Sequence, residues 1–175
     1  GYGGLLNVRR TIRGYEAAGV AAIQIEDQEM PKKCGHTPGR RVVPAEDMVL
    51  KLRVAADARR HAETLIVART DARTAHGLDE ALRRARLYEE AGADVIFVES
   101  PENEAELERI GKEVSKPLLA NMVEFGKTPR VEVDRLKKWG FDLAIYPGLG
   151  FSVAAEAMRL AWTHLKNRGT SEGVA

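Results

Sequence analysis

The amino-acid sequence predicts a parallel α/β fold, with residues 1–175 as one domain of about five strand-helix units forming the larger part of an (α/β)8 TIM-type barrel. The first of three supporting observations is a recurring pattern of helix end, glycine and dense apolar run: Gly19 to Glu26, Gly92 to Glu99 and Gly140 to Pro147. Glycine supplies the left-handed turn that closes a helix, and an apolar run too dense to alternate suits a parallel strand covered on both faces. Second, stretches with apolar residues three or four apart separate these runs, as amphipathic helices facing a sheet require. Third, the strands stop at Glu26, Arg69, Glu99, Asn121 and Pro147. In a barrel such carboxyl ends converge on one face. An open doubly wound sheet would be favoured by a glycine-rich phosphate turn after a strand, and no G-x-G-x-x-G or P-loop occurs in that context.

Taken in order, Val8, Ile12 and Tyr15 mark the first helix, and the first strand ends at Glu26. Pro44, with Glu46 and Asp47 behind it, starts a helix carried by Met48, Leu52 and Ala55, because acidic side chains suit the positive end of the helix dipole. A strand follows from Thr64 to Arg69, then a helix on Leu78, Leu82, Ala85 and Tyr88. After the strand ending at Glu99, Leu107, Ile110 and Val114 give a helix and Pro117 to Asn121 a strand. Phe151 to Asn167 reads as the last helix, and Trp139 and Trp162 as packing residues on helix faces.

Composition narrows the function classes. With 44% hydrophobic and 30% charged residues the chain is globular, and its 27 basic and 26 acidic residues show no one-signed run of the kind nucleic acid or a membrane surface attracts. No apolar stretch reaches the roughly 20 residues of a membrane span, and no signal-peptide layout opens the chain. The expected setting is cytoplasmic, with small molecules or further copies of the chain as partners.

Chemistry concentrates after the first strand. Cys34 sits among Lys32, Lys33 and His36, with Arg40 and Arg41 close behind, in a segment whose Pro31, Gly35, Pro38 and Gly39 indicate a loop. Positive neighbours lower a cysteine pKa from about 8.5 toward the range of proton transfer near neutral pH. The competing reading is a packed free cysteine, which this basic loop disfavours. Glu26, Asp27 and Glu99 offer hard oxygen ligands for Mg²⁺, or else ion-pair partners for Arg69. Zinc is disfavoured, since Cys34 and His36 lie two residues apart and His61, His76 and His164 fall on predicted helices. Arg69 closes a strand and suits a bidentate grip on a carboxylate, Asn121 and Glu124 suit hydrogen bonds to its oxygens, and Arg73, Arg83, Arg84 and Arg86 read as surface charge.

Ile25-Glu26-Asp27-Gln28, Lys32-Lys33-Cys34-Gly35-His36, Ala68-Arg69-Thr70-Asp71-Ala72 and Leu119-Ala120-Asn121-Met122-Val123-Glu124-Phe125-Gly126 resemble, in order and spacing, the isocitrate lyase and phosphoenolpyruvate mutase superfamily. The likeness covers essentially the whole chain, and its spacing is most similar to the 2-methylisocitrate and 2,3-dimethylmalate lyase branch. It implies an (α/β)8 barrel, a homotetramer at full length, that binds Mg²⁺ (Mn²⁺ as an alternative) and a small carboxylate substrate. The implied reaction is a retro-aldol type cleavage of a 2-hydroxy di- or tricarboxylate, with Cys34 as general acid. Lys32, Gly35 and His36 would belong to the catalytic loop, Glu26 to the metal shell, and Arg69, Glu99, Asn121 and Glu124, with Gly35 and His36, to the substrate pocket. Two departures stand out. The family's Asp-x-Asp-x-Gly-Tyr-Gly motif is matched only from Gly1-Tyr2-Gly3, which implies an N-terminal truncation of three strands and the loss of the main metal aspartates. Pro147-Gly148-Leu149-Gly150 lacks a serine found in some members. Phosphonomutase or carboxyvinyl-carboxyphosphonate phosphorylmutase-like activity, oxaloacetate decarboxylation, and a catalytically incomplete fragment are the alternatives.

Overall fold

The computed structural model describes residues 2–174; Gly1, the first residue of the Gly1-Tyr2-Gly3 run, and Ala175 lie outside the described residues. Helices and parallel strands alternate as α1 (Leu5–Ala17), β1 (Ala22–Glu26), α2 (Ala45–Ala58), β2 (Leu65–Thr70), α3 (Ala72–His76), α4 (Leu78–Glu90), β3 (Val95–Val98), α5 (Glu104–Glu113), β4 (Leu119–Asn121), α6 (Val133–Lys138), β5 (Leu143–Ile145) and α7 (Leu149–Arg168). Strands β1, β2 and β3 pair parallel in that order, and so do β4 and β5. A parallel bridge between Ile96 and Leu118, with the Ile96 amide donating to the Pro117 carbonyl at 2.9 Å, joins the two groups. Neighbours in space are therefore neighbours in sequence.

The elements start and stop where local chemistry directs. Gly19, Gly92 and Gly140 take positive φ values of 78°, 103° and 91° just after α1, α4 and α6, the left-handed closure their sequence context predicts. Helix α2 begins directly after Pro44 with Glu46 and Asp47 in its first turn. Helix α5 is capped by Asn103, whose side-chain oxygen accepts the Glu106 amide at 2.9 Å.

The main core lies between the helices and one face of the strands. Val8 and Ile12 of α1, Met48, Leu52 and Ala55 of α2, Leu82, Ala85 and Tyr88 of α4, and Leu107 and Ile110 of α5 pack there against Ile23, Ile25, Ile66, Ala68 and Ile96. The opposite face carries a smaller cluster of Val67, Val95, Phe97 and Leu119. Side chains alternate along a strand, so this second face also takes Glu26, Arg69, Glu99 and Asn121. The register confirms the alignment, with Glu26 beside Arg69 and Arg69 beside Phe97.

Several expectations are corrected. Tyr15 is exposed, and the next residue, Glu16, is buried instead, accepting the amides of Arg60 and His61 at 2.8 and 2.7 Å. His61 lies in the turn before β2 rather than on a helix. Both-face burial holds for β3 but not for β5, where Leu143 and Ile145 are exposed. The last helix starts at Leu149, and none of its residues is buried. Trp162 is accordingly 68% exposed and packs no core among the described residues, whereas Trp139, at the end of α6, is half-buried beneath the Arg135 guanidinium. Arg84 is the largest departure. It is buried because its guanidinium donates to Asp27 at 3.1 Å and to the Val43 carbonyl at 2.9 Å. Among the described residues no helix is long and apolar enough to cross a membrane.

Candidate active site

The period of two that separates the faces of β1 to β4 also gathers charge at their carboxyl ends. Arg69 stands at the centre. Its guanidinium carbon lies 5.0 Å above the Phe97 ring, its Nε lies 3.4 Å from Glu26 Oε2, and its Nη2 lies 3.1 Å from Glu99 Oε2. A second carboxylate, Asp71, grips the same fork, accepting Nε on Oδ2 and Nη2 on Oδ1, both at 2.9 Å. Burial alone would lower the Arg69 pKa, but Asp71, Glu99 and Glu26 outweigh it and hold the guanidinium above its ordinary value. Nη1 makes no hydrogen bond among the described residues.

Glu99 is fully buried one residue past β3. Burial pushes its carboxyl up, yet His36, Arg69 and Ser100 together leave it below the usual glutamate range. Asn121, at the end of β4, donates weakly from Nδ2 to both Glu99 oxygens at 3.4 Å. Buried Asn121 Oδ1 and Glu124 Oε2 have no hydrogen-bond partner among the described residues. Both are acceptors suited to a hydroxyl. Gly148 keeps the β5–α7 turn close to Glu124, since a Cβ there would lie 2.5 Å from Glu124 Oε2.

The cysteine loop lies over these groups. Its entry is held by Gln28, whose amide donates to the Lys33 carbonyl at 2.9 Å and accepts the Lys33 amide at 3.0 Å. Lys32 Nζ reaches Glu26 at 3.2 Å. Gly35 is buried, and a Cβ there would lie 2.7 Å from Glu99 Cδ, so only glycine lets the loop come this close. Ser100 donates from Oγ to the Gly35 carbonyl at 2.6 Å or to Glu99 at 3.1 Å. His36 accepts the Lys127 amide on Nδ1 at 3.0 Å, which puts its proton on Nε2. That nitrogen lies 3.1 Å from Glu99 Oε1 but is not aligned for a hydrogen bond, so the contact is electrostatic proximity. Cys34 is exposed at the loop tip. Its basic neighbours are engaged elsewhere, Lys32 with Glu26, Lys33 with the Gly39 carbonyl at 3.2 Å and His36 with Lys127.

The structure thus brings together Lys32, Gly35, His36, Arg69, Glu99, Asn121 and Glu26, with Glu124 at the rim. It removes Asp27 from the ligand candidates. That carboxylate is fully buried and accepts from Thr70, the Asp71 amide, Tyr88 and Arg84 at 2.8 to 3.1 Å, so its lone pairs are spent on structure. Among the described residues no three His, Cys, Asp or Glu side chains form a metal-ligand group. Glu26, already held by Lys32 and Arg69, does not make an Mg²⁺ site alone. The sequence pattern gives Ser100 no role and presents Arg40 only as charge near Cys34, whereas the structure buries Arg40 against Asp71. The Ala68-Arg69-Thr70-Asp71-Ala72 run contains Asp71, but the signal that it orients Arg69 lies in three-dimensional contact.

Residues 1–166 match the family model described as phosphoenolpyruvate phosphomutase. Among curated proteins, the chain is 52% identical over 174 residues to the 2,3-dimethylmalate lyase of Eubacterium barkeri, covering 99% of this chain and 60% of that protein. It is 47% identical over 174 residues to the 2-methylisocitrate lyase of Aeropyrum pernix, covering 99% and 56%. The chain therefore spans little more than half the length of these relatives. A crystal structure of 2,3-dimethylmalate lyase superposes with a TM-score of 0.93 at 38% identity, over 99% of this chain and 58% of that one. A phosphonopyruvate hydrolase complexed with oxalate and Mg²⁺ gives 0.82 at 28% identity, over 98% and 60%.

Proposed function

Since this chain belongs to the phosphoenolpyruvate mutase and isocitrate lyase superfamily, we propose that it is the greater part of the catalytic barrel of a carbon-carbon lyase. The substrate class is a small 2-hydroxy di- or tricarboxylate resembling 2,3-dimethylmalate or 2-methylisocitrate. One observation carries this reading: a buried glycine seats the cysteine loop against Glu99 beside an arginine that keeps one guanidinium edge unbonded. Consecutive parallel strand order with a charged inner rim supports the eight-stranded closure of the barrel.

In the proposed reaction a substrate carboxylate sits on Arg69 Nη1, with substrate hydroxyl groups donating to Asn121 Oδ1 and Glu124 Oε2. A base removes the proton of the reacting hydroxyl, and the oxygen's electrons form the carbonyl of an α-oxo acid as the C–C bond breaks. The bonding pair stays on the carbon alpha to the second carboxylate. The Cys34 thiol then gives its proton to that carbon and becomes a thiolate, to be reprotonated from solvent before the next turnover. Loop closure by Lys32, Gly35 and His36 keeps water from the carbanion.

Mg²⁺, or Mn²⁺ in its place, is the expected metal, supported by the Mg²⁺ of the phosphonopyruvate hydrolase complex. On this chain Glu26 is the residue proposed for its shell, and no step above runs through it. A homotetramer is the proposed assembly, supported by the exposed Phe151, Val153, Leu160 and Trp162 along α7.

The test is oxo-acid release by the intact protein, wild type against Cys34→Ser and Cys34→Ala, with 2,3-dimethylmalate, 2-methylisocitrate, a phosphonate and oxaloacetate offered in parallel. Loss of a general acid should lower turnover roughly 10²- to 10⁴-fold. Undiminished cleavage by Cys34→Ala, or turnover of the phosphonate alone, would refute the proposal.

A further inference from the structure

Arg40 lies at the far end of the cysteine loop, on the other side of Asp71 from Arg69, and takes no part in the chemistry above. It is nevertheless among the most enclosed charges in the chain. Its side chain and that of Asp71 are both at 0% exposure, and its Nη1 donates to Asp71 Oδ1 at 2.7 Å. Its other arm, Nη2, donates to the Thr74 hydroxyl. The same Asp71 oxygen accepts Arg69 Nη2, and the second oxygen accepts Arg69 Nε. One buried carboxylate thus joins two guanidinium groups, and the Asp71 amide is in turn tied to Asp27 at 2.8 Å.

We propose that Arg40 is a positioning residue that sets the carboxylate affinity of the site by fixing Asp71, which turns the Arg69 fork so that Nη1 faces the ligand. The inference rests on the lyase reading and deepens it. With Nε and Nη2 bound to Asp71, the guanidinium plane cannot rotate about its long axis. Rotation of Asp71 is blocked by Arg40. The arrangement also links loop and clamp, since Arg40 belongs to the stem that leads from the Cys34 tip back to α2. A displacement of that stem would drag Asp71, and with it Arg69. The Asp71 carboxylate between the two guanidinium groups offsets their mutual repulsion and hydrogen-bonds both, which couples the three side chains.

The experiment uses the intact protein and the variants Arg40→Met and Arg40→Lys, comparing kcat and KM for 2,3-dimethylmalate, the Kd for oxalate as a plain dicarboxylate probe, and the thermal midpoint. Arg40→Met should raise KM and the oxalate Kd by roughly tenfold while kcat changes by less than about threefold, the mark of lost uniform binding. Arg40→Lys keeps a cation beside Asp71 and should recover most of the affinity. Unchanged KM and Kd in a folded Arg40→Met protein would overturn the inference while leaving the lyase reading intact. A fall in kcat and thermal midpoint that Arg40→Lys does not reverse would also overturn it, in favour of a purely structural role. A wild type that neither cleaves 2,3-dimethylmalate nor binds oxalate removes the lyase reading and this inference together.

Discussion

Gly35 and Glu99 are packed so closely that a methyl group on Gly35 would sit 2.7 Å from the Glu99 carboxyl carbon. Gly35→Ala therefore has to lift the loop or displace a fully buried carboxylate that Arg69 also holds. Since misplacing reacting groups by about 1 Å costs on the order of 10²-fold in rate, turnover should fall by about that factor, with an accompanying stability loss of about 1–3 kcal/mol from the overpacking. Steady-state kinetics beside a melting curve separates the two quantities. A variant as active as wild type would show that the loop does not need this seat.

Glu99 has a folded-state pKa below its ordinary 4.5. As pH falls, the unfolded chain takes up that proton first, so the stabilisation is complete above 4.5 and is lost as pH drops through the folded value. Glu99→Gln should flatten the acid limb of a stability-against-pH curve measured by denaturant midpoints. It should also depress turnover at neutral pH, because Arg69 loses one carboxylate and His36 an acidic neighbour at 3.1 Å.

Tyr88 behaves with the opposite sign. Burial, then the Asp27 carboxylate 2.8 Å from its hydroxyl, raises its pKa well above the ordinary 10.0. The folded state keeps the phenol protonated, so its contribution is whole below 10.0 and fades as pH rises beyond it. Tyr88→Phe should destabilise the protein by about 1–3 kcal/mol at neutral pH by taking one donor from a buried carboxylate. Its alkaline unfolding should also be shallower than that of wild type. Equilibrium urea unfolding at neutral and alkaline pH checks both parts.

These cases show how far the sequence could be read. Glu26, Arg69, Glu99 and Asn121 stood out because each ends an apolar run, and parallel pairing carries strand ends to the same level without any further information. Arg84 escapes this pattern because, in α4, it neighbours an apolar stripe of Leu82, Ala85 and Tyr88 but owes its burial to Asp27, 57 residues away. Tyr15 and Glu16 exchanged roles for a similar reason. The helical stripe fits either residue, and the free amides of Arg60 and His61 decide for Glu16. Periodicity reports which face is apolar; it is silent on which buried charge a distant loop will satisfy.

Ser100 lets backbone strain be separated from hydrogen bonding. Its φ of 61° lies in the left-handed region that a non-glycine residue rarely adopts, and its hydroxyl reaches the Gly35 carbonyl of the cysteine loop. Ser100→Ala removes the hydroxyl and keeps the strain. Ser100→Gly removes both, so it should melt later than the alanine variant, with the strain relief, of order 1 kcal/mol, partly offset by glycine's greater unfolded-state entropy. Turnover should respond differently. If the Oγ to Gly35 bond holds the loop, both variants lose the same fraction of activity despite unequal stability. Unequal loss that tracks the melting temperatures would show instead that Ser100 serves the fold of the β3–α5 turn and leaves the loop to Gly35 and Gln28.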